Sequence, residues 1–376
     1  MHLDFKNVRE GFLSLVKLFK NVEDNGHTNI VKQDSRNGPV LRKIGPLSLT
    51  FERPDQRVLI DPVRDANPFF HMYEALWMLG GRNDVDSVAY YVKQMRAYSD
   101  DGETFHGAYG YRWRKYFGYD QIQMVIDELS ANPDSRRCVL QMWDGGRTQH
   151  EIDTEGRLPR DPTHWTECEP VEGTGDLYIA THGGKDVPCN LCCVFEIVQD
   201  KLNMTVYNRS NDSIWGMLGA NYVHMTVLQE YVAMLIGVEL GIYSIVTSNG
   251  HIYLNDQWTV LRERVDTSVH SLVDCRVYHK QPATMLWAGK PELVDSEISF
   301  FLENEPVATS KEVHHEEEFT IPFIHDAWLA CKAYRLRKEG KQDQAIQTIS
   351  QMVGTDWKTA CIDWVGRRIE LGNVVQ

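Results

Sequence analysis

The sequence predicts an α/β (α+β) protein, with a mixed sheet and helices over residues 1–300 and a helical extension over residues 301–376. Three observations carry that prediction. Leu191 to Gln199 and Leu202 to Tyr207 have strand character, and Asp200-Lys201 between them reads as a turn. Two apolar runs, Asn67 to Leu79 and Asn221 to Ile236, have helical length, and Gly237 marks a stop for the second. Beyond residue 300 the character changes, and Ile324 to Leu336, Asp343 to Met352 and Thr355 to Leu371 all look helical.

In chain order, residues 7 to 20 read as an amphipathic helix, because Val8, Phe12, Leu15, Val16 and Phe19 share one face. Asn25 to Asn37 is polar and loop-like, punctuated by Asp34-Ser35-Arg36-Asn37-Gly38. Leu47 to Phe51 and Gln56 to Ile60 look like two strands joined by a Pro-Asp turn. The buried helix from Asn67 carries a lone acid, Glu74. Ile122 to Leu129 is a helix stopped by Pro133-Asp134, and Cys138 to Trp143 is a short apolar strand. Residues 145–186 are rich in Gly, Pro, Thr and acid without a sustained period, and read as a long loop inserted in the main domain. Residues 242 to 248 form a strand, and His251-Ile252-Tyr253 leads into a further helix. Val313 to Glu318 is rich in His and Glu, and no internal repeat is evident.

The 376 residues suffice for one large domain or two ordinary ones, and 42% hydrophobic residues mark a globular composition. Lys and Arg number 39 against 53 Asp and Glu, a net charge of −14, which argues against nonspecific binding of nucleic acid. An anionic small substrate remains compatible, because arginines occur in tight contexts: Arg36, the pair Arg136-Arg137, and Arg209. The eight cysteines are scattered, which suggests a reduced, cytoplasmic setting. Cys189 and Cys192 have CxxC spacing, but no second pair follows, and no metal is expected. Met1 to Glu10 has no apolar signal region, and no stretch approaches the ~18 apolar residues of a membrane span.

The most informative feature is a pair of blocks, Val187-Pro188-Cys189-Asn190 and Tyr207-Asn208-Arg209-Ser210-Asn211-Asp212. Antiparallel strands in hairpin order bring their outer ends together. A cysteine entering one strand is therefore placed beside an arginine and a serine leaving the other. A cationic neighbour favours thiolate, and thiolate is the nucleophile. The bland alternative is a buried cysteine near a surface arginine.

These blocks, with others in order, resemble the thymidylate synthase superfamily, including its nucleotide hydroxymethylase branch. The others are Glu74-Ala75-Leu76-Trp77, Tyr109-Gly110-Tyr111-Arg112-Trp113-Arg114, Pro133-Asp134-Ser135-Arg136-Arg137 and His251-Ile252-Tyr253. The likeness runs from about residue 7 to residue 262. It implies a thymidylate-synthase-like fold, 5,10-methylenetetrahydrofolate as the one-carbon donor, and a homodimer with shared active sites. It implies that Cys189 adds to C6 of a pyrimidine deoxynucleotide, Glu74 moves protons near the ring, and Tyr109 assists removal of the C5 proton. Arg36, Arg209 and Ser210 would hold the nucleotide phosphate, with Arg136 and Arg137 lent by the neighbouring subunit. Asn221 would read the base, His251 and Tyr253 the sugar hydroxyl, and Asp212 and Trp77 would face the folate.

Three departures separate this chain from the family pattern, and two of them, Asn190 and the tail, bear on the product. Asn190 follows the nucleophile where synthases carry histidine, and the spacing from Asp212 to Asn221 is one residue longer than usual. The chain also ends Glu-Leu-Gly-Asn-Val-Val-Gln after a helical extension, in place of the short apolar peptide that keeps water from the site. Both point to a deoxyuridylate hydroxymethylase, as in a virus with modified pyrimidines acting in its host's cytoplasm. The rivals are thymidylate synthase proper, deoxycytidylate hydroxymethylase, and a noncatalytic RNA-binding or assembly factor on the same fold. An aspartate suits cytosine at the base-reading position, and Asn221 there favours uracil.

Overall fold

A computed structural model describes residues 1–26, 30–35, 37–43, 45–146, 175–265, 287, 290–304 and 319–374. Six strands form the larger sheet: β1 (His2–Phe5), β4 (Leu47–Phe51), β9 (Glu239–Thr247), β7 (Lys201–Asn208), β6 (Asn190–Val198) and β5 (Val139–Gln141), side by side in that order. The smaller sheet sets β2 (Ile30–Gln33), β3 (Val40–Lys43), β10 (Gly250–Tyr253) and β8 (Asn211–Asp212) side by side. Parallel pairing at β7–β9 and antiparallel pairing at β6–β7 make the larger sheet mixed, as the sequence predicts. The β6–β7 turn holds Gln199 and Asp200 at φ 52° and 60°, the left-handed pair that suits the twist of a tight hairpin.

One face of the large sheet is core. Cys193, Phe195, Leu202, Met204 and Val206 are buried beneath the helix Asn221–Ile236, whose bounds are those expected from the sequence. That helix packs on Pro68–Leu79, every residue of which is buried. The other flank of Pro68–Leu79 meets the helices Val294–Asn304, Pro322–Lys338 and Thr355–Val374. The extension's aromatic rings join the same apolar cluster, with Phe69 5.3 Å from Tyr334 and 5.4 Å from Trp364 between centroids. The acid-bearing helix is thus enclosed on both sides.

The structure corrects several local readings. Gln56–Ile60 is not a strand, because both hydrogen-bonding edges of β4 are taken by β1 and β9. Residues 25–37 are not all loop: β2 lies among them and pairs antiparallel with β3, from Ile30 opposite Lys43 to Gln33 opposite Val40. Part of the 145–186 segment is helical, Asp176–Thr181, while 147–174 and 313–318 lie outside the described residues. Asp176 anchors that helix. Its carboxylate accepts two hydrogen bonds of 2.8 Å from the Arg112 guanidinium and one of 2.7 Å from the Asp144 amide.

Candidate active site

Cys189 stands just before β6, and Arg209 just after β7. The hairpin register sets Asn190 opposite Asn208, and the Arg209 amide donates to the Cys189 carbonyl at 2.9 Å. The Arg209 side chain then folds back on the same turn. Its Nε–H reaches the Pro188 carbonyl at 3.0 Å and its Nη2 the Val187 carbonyl at 2.9 Å. Three polar links of this sort place the Cys189 backbone beside a fixed cation, with the indole of Trp143 5.8 Å from the guanidinium carbon.

A cleft of about 350 Å³ opens at this corner, within the size range of small-molecule sites. Tyr109, Cys189, Arg209, Ser210, Asp212, Asn221, His251 and Tyr253 all line it. Eight of the expected residues thus converge from five separate segments. Parallel pairing of β8 with β10 puts His251 opposite Asp212. Burial pushes the Asp212 carboxyl up, and the Ile214 amide, His251 and Arg64 pull it back. Tyr109 comes in on the opposite side. Burial drives its phenol far above the usual range, Cys189 adds to that, and Arg209 and the Asn190 amide oppose it. Its short helix lies against the end of Pro68–Leu79 because residue 110 is glycine; a Cβ there would sit 1.9 Å from the Met78 carbonyl oxygen.

The longer spacing between Asp212 and Asn221 has a structural answer. Ser213–Ala220 winds as a π-helix kinked at Leu218 and Gly219, whose backbone is non-helical, and the widened turn takes up the extra residue. Arg64, buried beneath it, donates to the carbonyls of Ile214 (2.8 Å) and Trp215 (3.1 Å). Asn221 is thereby delivered to the cleft, where its Nδ2 donates to Asn211 Oδ1 at 3.3 Å.

Other expected residues lie elsewhere. Trp77 is 2% exposed and its indole N–H is bonded to Asp84, so it belongs to the core and not to a folate-facing wall. Asn190 is fully buried beneath the cleft with its Nδ2 unpartnered. Arg136 and Arg137 are exposed near β5 and do not line this chain's cleft. Arg36 lies outside the described residues, between Ser35 and Asn37, which do line it. Glu74 is buried behind the cleft, its Oε2 2.8 Å from His224 Nε2. Sequence reasoning missed Asn211, Asn249 and Asn37 in the lining, and His224 beside Glu74. The signal for His224 is its place one turn along from Asn221 on the same helix. No cluster of metal ligands occurs among the described residues, and no helix among them is long and apolar enough to cross a membrane.

A cysteine entering a strand, a clamped arginine and a helix-borne asparagine thus meet in one cleft. The chain belongs to the thymidylate synthase family, whose model matches residues 14–285. It is also similar to the deoxyuridylate hydroxymethyltransferase of Pseudomonas phage M6, 40% identical over 345 residues, 90% of this chain and 88% of that one. Since the family model stops at residue 285, the M6 likeness extends into the C-terminal helices. The deoxyuridylate hydroxymethyltransferases of Bacillus phage SP01 and Delftia phage PhiW-14 are 32% and 30% identical over 61% and 53% of this chain, and 54% and 50% of their own.

Proposed function

We propose that this chain is a deoxyuridylate hydroxymethylase, converting dUMP to 5-hydroxymethyl-dUMP. The observation that carries the reading is the cleft that gathers Cys189, Arg209, Asp212, Asn221 and His251, in a chain alike to the phage M6 enzyme almost throughout. Methylenetetrahydrofolate supplies the one-carbon unit, at the oxidation level of formaldehyde. The cleft fits it: a Cβ at Gly216 would lie 2.6 Å from Asn211 Oδ1 and 3.2 Å from Asn221 Nδ2, so glycine keeps the floor open for flat rings. Asp212 and the half-exposed ring of Trp215 beside Gly216 would hold the pterin.

In this reading Cys189 Sγ adds to C6 of uracil and makes C5 nucleophilic. Asn221 pairs with the N3–H and O4 edge, with both a donor and an acceptor to offer. Arg209 and Ser210 hold the phosphate, with Arg36, and His251 and Tyr253 hold the sugar hydroxyl. Tyr109 assists loss of the C5 proton, its phenol kept protonated by burial until that step. The enzyme works as a homodimer. The large sheet's outer face, including Tyr207 and Val139 at 38% and 48% exposure, is open for a two-fold neighbour, and Arg136 and Arg137 stand at its edge. The three hydroxymethyltransferase relatives are phage proteins, and the cytoplasm of an infected host is the place for this reaction.

The test is the product. Incubation with dUMP and methylenetetrahydrofolate in heavy-oxygen water should give a nucleotide heavier by a hydroxymethyl group bearing the label, without dihydrofolate. An unlabelled methyl product with stoichiometric dihydrofolate would return the chain to the synthases. Loss of product in Cys189→Ser, with nucleotide binding kept, separates either enzyme from a noncatalytic binding protein.

A further inference from the structure

Glu74 and His224 come from different helices, Pro68–Leu79 and Asn221–Ile236, and meet at 2.8 Å with side chains 6% and 1% exposed. The contact lacks hydrogen-bond alignment, and both ring nitrogens of His224 are without an aligned partner. A buried imidazole is normally satisfied on at least one side. Here its immediate charged neighbour is the acid that the proposed reaction needs. His71 sits on Glu74's own helix one turn earlier. Burial, with Arg64 and His224, holds its imidazole well below the usual range, so it stays neutral. The residue after the nucleophile, Asn190, carries no imidazole, and its amide is sealed off with no exposed surface. The imidazole nearest the acid therefore comes from position 224.

We propose that His224 is the positioning residue of Glu74 for the water-addition step. The inference rests on the hydroxymethylase reading. In that step water attacks the exocyclic methylene carbon of the Cys189-bound nucleotide. A C–O bond forms, the methylene π electrons move into the C4 enolate, and the water proton passes to the Glu74 carboxylate. The enolate then restores the C5–C6 double bond and expels Cys189 thiolate as the S–C6 bond breaks. No oxidant or reductant enters. His224 keeps the carboxylate aimed through the 2.8 Å contact between the two helices. Asn221 lies one turn before His224, so base recognition and water activation sit on one helix face.

His224→Leu and His224→Gln test this in the full chain. One readout is the partition of the methylene intermediate between hydroxymethyl product and a thioether formed with added thiol. The other is thiol-dependent dehalogenation of 5-bromodeoxyuridylate, which requires Cys189 addition to C6 but no folate. The expected result for His224→Leu is a fall in kcat of ~10²-fold with KM for dUMP little changed, more thioether, and dehalogenation at the wild-type rate. His224→Gln keeps a donor near Glu74 and should recover part of the loss. Hydroxymethyl product at wild-type kcat from His224→Leu, or dehalogenation lost in parallel with product in both variants, overturns the proposal. Wild-type enzyme that cannot dehalogenate, or Cys189→Ser that still does, would instead overturn the site reading on which it rests.

Discussion

Buried acids serve two ends of this molecule in opposite ways. In the C-terminal layer, Asp326 is 1% exposed and both its oxygens are taken: Val353 donates its amide at 2.8 Å and Gly354 at 2.6 Å, capping the helix Thr355–Val374. Glu297 is just as occupied, accepting the amides of Thr320 and Ile321 at 3.0 Å each and the Thr320 hydroxyl at 2.5 Å. Near the cleft the pattern reverses. Glu74 Oε2 and Asp186 Oδ2 are buried and make no hydrogen bond. A buried acceptor left open costs free energy, so it persists where something else requires it. Saturated acids hold helices in place; under the proposed function, an open one is where a proton would move.

The largest separation should come from Glu74→Gln. If Glu74 is the proton-moving acid, kcat falls ~10²–10⁴-fold while Tm stays level or rises, because glutamine keeps the side chain's shape and removes a buried carboxyl oxygen that lacked an aligned hydrogen-bond partner. Kinetics and thermal melts on one preparation decide it. A large drop in Tm with kcat preserved would make Glu74 a structural acid like Asp326. Next is Asp326→Ala, which strands the Val353 and Gly354 amides at the start of a helix. It should cost ~3 kcal/mol, seen in chemical denaturation, with kcat per folded molecule unchanged at low temperature. Glu297→Gln should cost less, ~1–2 kcal/mol, since the amide oxygen still accepts on one side while its NH2 can no longer accept on the other.

Much of this was legible in the chain, for reasons that differ by residue. The β6–β7 hairpin and the helix Asn221–Ile236 are visible because their apolar periods lie within one element and the turn residues sit between them. The Cys189–Arg209 corner follows from that hairpin alone. β1 and β2 were not legible: they are four residues each, mostly exposed, and gain their place from neighbours far along the chain. Gln56–Ile60 looked like a strand because its residues are buried, yet Arg57 there bonds the Pro54 carbonyl rather than a ladder. Trp77 could not be placed from periodicity, because its helix is buried all round and offers no face to read. The Glu74–His224 contact joins residues 150 apart on two helices, and no pattern within either one registers it.

The smallest effect is also the one that tests the open class by pH alone. Asp186 lies three residues before Cys189, and burial raises its carboxyl to about 6, against the pull of the Gly107 amide and of His106; Asp100 pushes the same way as burial. The folded chain therefore holds this proton after the unfolded chain has lost it. Stability from this group is fully present below the ordinary carboxylate range and is lost as pH rises through about 6. Asp186→Asn removes that titration. Its fixed cost or gain is the same at every pH, so only the change with pH is diagnostic. Relative to wild type, the variant's Tm should be higher at pH 8 than at pH 5, by ~2 °C for a chain of this size. The same difference between variant and wild type at both pH values would mean that Asp186 is as well satisfied as Asp326, and that the contrast between the two regions rests on Glu74 alone.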